Sequence, residues 1–113
     1  MIYFPGYSPL KRPELIIRLE GDGNYTNIYS LQQSRPLLVS QTLLHHQRQL
    51  PSFLRVSKSS LVNPAHVVRI VKKGRVVHLR LQDDAMVLVS RRRVSETVAA
   101  LDKLCKLTEM LPE

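Results

Sequence analysis

Cysteine is nearly absent: Cys105 is the only one in 113 residues. A lone thiol permits no disulfide within the chain and offers no Cys pair to a metal, so a reducing cytoplasm is the simplest setting. Long apolar runs are missing too. Nothing approaches the roughly 20 residues that a membrane helix needs, which points to a soluble chain with no membrane partner. The first residues lack the basic head and apolar core of a secretory signal. No low-complexity tract or solenoid repeat is present, so one folded domain is expected at this length. The last absence is regional, for residues 55 to 93 contain no Phe, Tyr or Trp. A surface that stacks unpaired bases needs rings, which weighs against an RNA-binding module.

What fills that stretch is positive charge. Arg55, Lys58, Arg69, Lys72, Lys73, Arg75, Arg80, Arg91, Arg92 and Arg93 face only Asp83 and Asp84, and the rest of the chain balances, so the formal +8 belongs to this third. Like charges held close repel one another unless a partner compensates them. A polyanion is therefore expected, with nucleic acid the first candidate.

Between Leu15 and Leu31 two runs rich in β-branched and aromatic residues flank Gly21-Asp22-Gly23-Asn24, the composition of a tight hairpin reversal. Pro36 to Val39 reads as a third strand. Ser40 then caps a helix of about ten residues that places Leu43, Leu44 and Leu50 on one face and stops at Pro51. Strands return from Phe53 to Val89. Val67 to Val71 and Val76 to Gln82 flank the turn Lys72-Lys73-Gly74-Arg75, with Val77, Leu79 and Leu81 on the buried face. After Gln82-Asp83-Asp84 comes Met86 to Val89, and then a final helix on Val94, Val98, Leu101 and Cys105, widened by Leu104 and running to Pro112. Cys105 is expected there as an inert buried thiol. The class is mainly β with short helices and a C-terminal helix: residues 1–13 form an extended arm, residues 14–111 the domain.

Catalytic patterns are weak. Asp83 and Asp84 are adjacent in a turn, where side chains diverge and stay hydrated, which makes a poor acid–base pair. His45, His46, His66 and His78 stand at no metal-ligand spacing and read as exposed or partly buried. Ser57, Ser59 and Ser60 have no evident histidine partner. The Gly21 to Asn24 turn lacks the remaining residues of a phosphate-binding or calcium loop. Neither an enzyme nor a cofactor is expected. The local anomaly is Ser90-Arg91-Arg92-Arg93 at the start of the last helix, where cations oppose the helix dipole by about 0.3 to 1 kcal/mol. They read either as a solvated loop or as a group that holds phosphates or reaches a guanine edge.

Four stretches carry a resemblance. Leu19-Glu20-Gly21-Asp22-Gly23-Asn24-Tyr25, Phe53 to Asn63 with Arg55-Val56-Ser57-Lys58-Ser59 at its centre, Val67 to Ile70, and Val89-Ser90-Arg91-Arg92 follow in order across about Leu15 to Leu101. Together they resemble the LytTR-type DNA-binding domain of bacterial response regulators. The resemblance implies an elongated domain of small antiparallel sheets that grips successive grooves of one duplex face through loops. It implies DNA contacts at Thr26 or Asn27, Lys58 and Arg92. One departure is chemical: Ser57-Lys58-Ser59 stands where the family usually has His-Arg-Ser, so a bidentate fork becomes a point charge on a flexible stem. The other concerns the usual N-terminal receiver domain, for which 13 residues leave no space; a stand-alone regulator or a piece of a longer protein is expected.

The expected partner is double-stranded DNA, read as repeated half-sites by a homodimer on the DNA, with a separate signalling partner. The candidate contacts are Thr26, Asn27, Arg55, Ser57, Lys58, Ser59, Arg91, Arg92 and Arg93. An RNA-binding module, or an interaction domain for an acidic protein, is the alternative.

Overall fold

A computed structural model describes residues 12–104 and 106–112 of the chain. The expected arm, apart from Arg12 and Pro13, and the Cys105 thiol lie outside the described residues. A 3-10 turn, Pro13–Leu15, leads into β1 (Ile16–Asp22), which returns through Gly23 as β2 (Tyr25–Ser30). Gly23 has φ +61°, the left-handed conformation that this reversal requires. Next come β3 (Leu37–Val39), α1 (Leu43–Gln49), β4 (Leu54–Arg55) and β5 (Ser60–Val62). These strands make one antiparallel sheet in the order β3-β2-β1-β5-β4. The second sheet contains β6 (Val67–Lys73), β7 (Val76–Leu81) and β8 (Met86–Leu88), followed by α2 (Val94–Asp102) and β9 (Leu107–Leu111). Its order is β8-β7-β6-β9, with β9 parallel to β6.

Alternation along the strands divides the core between two faces of the first sheet. On β5, Leu61 packs with Ile16, Leu19, Ile28, Leu43 and Phe53, while its neighbour Val62 packs with Ile17, Ile70, Leu79 and Leu101. The first face is thus closed by α1, the second by the other sheet and α2. A register shift between Ile16 and Arg18 lets Ile16 and Leu19, three apart, enter the same cluster. Val77, Leu79 and Leu81 are buried together, as their spacing predicts. The result is elongated, 45 × 24 × 23 Å. No helix among the described residues is long and apolar enough to cross a membrane.

Three local expectations need correction. α1 is capped by Thr42, whose Oγ1 accepts the His45 N–H, not by Ser40; it spans seven residues, and Leu44 faces outward. α2 ends at Asp102, and the chain turns back as β9 along the edge of β6, from Arg69↔Leu107 to Lys73↔Leu111. Leu104, Leu107 and Leu111 keep helical spacing, so periodicity alone extends the helix; pairing with the edge of β6 prevails. His46 and His66 are buried, where exposed or partly buried histidines are expected. His66 sits between the Gln82 side chain and the Glu14 carbonyl and ties the first turn to the second sheet.

Candidate nucleic-acid interface

Antiparallel pairing of β4 with β5 leaves only Ser57, Lys58 and Ser59 to reverse the chain, and the Val56 N–H donates to the Ser60 carbonyl at 3.1 Å to close the loop. The Ser59 N–H donates to Ser57 Oγ at 3.3 Å inside it. On one side the Gly21 N–H donates to the Ser59 carbonyl at 2.8 Å, fixing the loop to the end of β1. On the other, the Ser90 N–H donates to the Val56 carbonyl, also at 2.8 Å. One residue earlier, the Val89 N–H donates to Val77 at 2.9 Å, so the chain leaves β8 at the end where β6 turns into β7. Backbone bonds therefore set four reversals in one row: the first hairpin, the Ser57–Ser59 loop, the Ser90–Arg93 segment and the Lys72–Arg75 turn.

Arg91, Arg92 and Arg93 form a 3-10 turn of their own ahead of α2. Placed there, their charges stand outside the first turn of the helix, whose acidic residue is Glu96. Arg91 and Arg92 are exposed and Arg93 is half-buried. Lys58 is exposed and, like the three arginines, makes no ion pair among the described residues. By contrast Arg69 pairs with Glu109 at 3.0 Å and Arg80 with Asp84 at 3.5 Å.

Two expected contacts change character. Thr26 is fully buried, and its hydroxyl donates to the Gln41 carbonyl at 2.8 Å. Its neighbour Asn27, opposite Glu20 across the sheet, is half-buried on the other face and remains the candidate. Arg55 is half-buried, and its guanidinium turns toward its own chain. Nε donates to the Ser57 carbonyl at 2.8 Å, Nη1 to Gln47 Oε1 at 2.7 Å, and Nη2 to the Lys58 carbonyl. Burial, and then the nearby Arg93, hold it below the ordinary arginine range.

Sequence reasoning missed a polar clasp beside this row. Arg18 bonds Glu20 at 3.2 Å and Asp83 at 3.3 Å, and lies 3.5 Å from the centre of the Tyr29 ring. Glu20 also accepts from Ser60 Oγ at 2.7 Å. Asp83 is thus no merely solvated turn residue: it links the two sheets and accepts the Ala85 N–H at 3.2 Å. The clasp borders an open cleft of about 540 Å³ between the first sheet and β8, where Lys58 and Ser60 face Met86 and Leu88. The one legible signal was the alternation of Arg18 and Glu20 on a strand with apolar neighbours. Among the described residues no cluster of three or more His, Cys, Asp or Glu is placed to hold a metal ion.

A family model of the LytTr DNA-binding domain matches residues 10–102. This chain belongs to the LytTR family. The LytTR domain is a DNA-binding domain, and DNA is the partner it implies. Its fold is similar to that of the LytTr DNA-binding domain of a response regulator from Bacillus cereus. The two chains are 21% identical, with a TM-score of 0.63 over 78% of this chain and 82% of that one. No curated protein matches the chain. β9 lies beyond the residues that the LytTR model matches.

Proposed function

We propose that this LytTR domain binds double-stranded DNA sequence-specifically, as a cytoplasmic bacterial transcription regulator, by laying its row of loops across successive grooves. The observation that carries the reading is the backbone stitching of the Ser57–Ser59 loop between Gly21 and Ser90, which holds Lys58 beside the Arg91–Arg93 turn. Fixed loops cost little ordering on binding, and cations with no carboxylate partner among the described residues can meet phosphates. Arg92 and Arg91 are assigned to a guanine edge or phosphate, Lys58 to phosphate, and Asn27, Ser57 and Ser59 to polar contacts. One domain of this size covers few base pairs, so two copies on repeated half-sites would supply useful specificity. Stacking of single-stranded bases is disfavoured further because Arg18 already occupies the Tyr29 ring.

The test is selection from a random duplex library, followed by titration of the enriched duplex at several salt concentrations. Log K should fall linearly with log salt by about 0.9 per phosphate neutralised. Single-stranded RNA of equal length should bind more weakly at the same salt. A slope near zero, or tighter binding to RNA, would overturn the reading.

A further inference from the structure

The sequence places Arg55 among the DNA contacts, and the geometry places it behind them. Three of its N–H groups are engaged by acceptors of this chain: two carbonyls of the loop, at Ser57 and Lys58, and the Gln47 side chain of α1. All three acceptors are neutral, and Arg55 makes no ion pair among the described residues. Its charge therefore strengthens hydrogen bonds rather than balancing a carboxylate. Arg93 lines the same small cavity, together with Phe53, Glu96 and Thr97. Three of the five Arg55 donors, and with them the direction of the guanidinium plane, are thus committed within the chain.

We infer that Arg55 is a positioning residue: it anchors the Ser57–Ser59 loop to α1 and sets the direction in which Lys58 points, without touching DNA. The geometry needs an arginine. Only a planar fork with five donors reaches acceptors on both sides at once, whereas a lysine supplies one compact ammonium. Charge alone does not replace it. The part of this inference that concerns DNA rests on the proposed function; the anchoring of the loop does not.

The experiment compares wild type, Arg55→Lys and Arg55→Gln in the full chain. Amide hydrogen exchange without DNA reads the anchor directly, at the Gly21 amide, bonded to the Ser59 carbonyl of the loop, and the Ser90 amide, bonded to the Val56 carbonyl just before it. Both variants should exchange there about tenfold faster, with β6 and β7 unchanged, the scale expected for losing charge-assisted hydrogen bonds. On the selected duplex both should bind about tenfold more weakly, on a scrambled duplex less than about threefold, with the salt slope kept. Arg55→Lys binding like wild type, or Arg55→Gln lowering the slope by about 0.9, would make Arg55 a phosphate contact and overturn the inference. Unchanged exchange at Gly21 and Ser90 would overturn it as well. Gln47→Ala, which removes the anchor outside the loop, should shift exchange in the same direction by less, and carries the test if circular dichroism finds the Arg55 variants unfolded. Failure of wild type to bind any duplex, with exchange responding as described, would sink the DNA reading and support the anchor.

Discussion

The Ser57–Ser59 loop and the Lys72–Arg75 turn lie in the same row of reversals, yet they hold their charges in opposite ways. The turn has three cations, a Gly74 at φ +59° and exposed side chains at Lys73 and Arg75. The loop has one, Lys58, but its backbone is fixed to β1, to Ser90 and through Arg55 to α1. A charge at the end of a hairpin attracts any phosphate and carries no sequence information, while one on a loop pinned by tertiary bonds can be placed against a particular groove position. The count of charges thus points to the turn and the hydrogen bonds to the loop. Four measurements, taken in decreasing order of effect, can break or sharpen that contrast.

Acid should act on the side of the loop. His46, on α1 beside Gln47, is fully buried, and neither ring nitrogen has a hydrogen-bond partner among the described residues. Burial first, and then His45, lower its pKa from 6.5 to about 4. The unfolded chain therefore takes up a proton at a pH where the folded chain does not. The stability this confers is complete above about pH 6.5 and is lost as pH falls toward 4. The loss is on the order of 3 kcal/mol, at about 1.4 kcal/mol per unit. Urea unfolding at stepped pH reads it, and His46→Leu should flatten that part of the profile; an unaltered profile would sink the assignment to His46.

Arg92→Ala tests the specifying end of the row. It should cost about 1 to 3 kcal/mol on the selected duplex and much less on a scrambled one, because a base-edge contact is lost only where the right base is present. Equal losses on both duplexes would reduce Arg92 to a phosphate clamp, and no loss on either would leave it a solvated residue.

Much of this architecture is legible in the sequence, for a physical reason. Hairpins announce themselves locally: Gly23 and Gly74 stand where positive φ is required, and Val77, Leu79 and Leu81 alternate as a half-buried strand must. The motif residues around Lys58 and Arg92 also follow the family's order. What escapes is decided by partners far along the chain. Nothing local shows that Thr26 turns inward to Gln41, that Arg55 bonds its own loop, or that residues 107–111 prefer the edge of β6 to another helical turn. The candidate interface follows the same division, its charges readable from composition and their fixation only from the folded backbone.

Gly74→Ala separates the shape of the turn from its charge. A Cβ in the left-handed region costs about 1 to 2 kcal/mol. The substitution leaves the charges of the turn in place, so the folded fraction should bind DNA as before. Thermal unfolding paired with titration of the active fraction reads both halves. A specific loss of affinity by the folded protein would mean that the turn, like the loop, is used for its shape.

The smallest effect expected is that of Lys72→Ala. Lys72 is half-buried, opposite Val77 in the last pairs before the turn, and makes no ion pair among the described residues. Its charge contributes to the general attraction for phosphate, and an exposed contact of this kind is worth about 0.2 to 1 kcal/mol. The selected and scrambled duplexes should weaken together, leaving their ratio unchanged. If Lys72 sits on a phosphate, the salt slope falls by about 0.9; if it only adds to the field, the slope moves by less. A fall in the ratio of selected to scrambled binding would instead show that the Lys72–Arg75 turn reads sequence. The contrast between the pinned loop and the hairpin end would then fail at its simplest point, since a residue held only by strand pairing would be discriminating between bases.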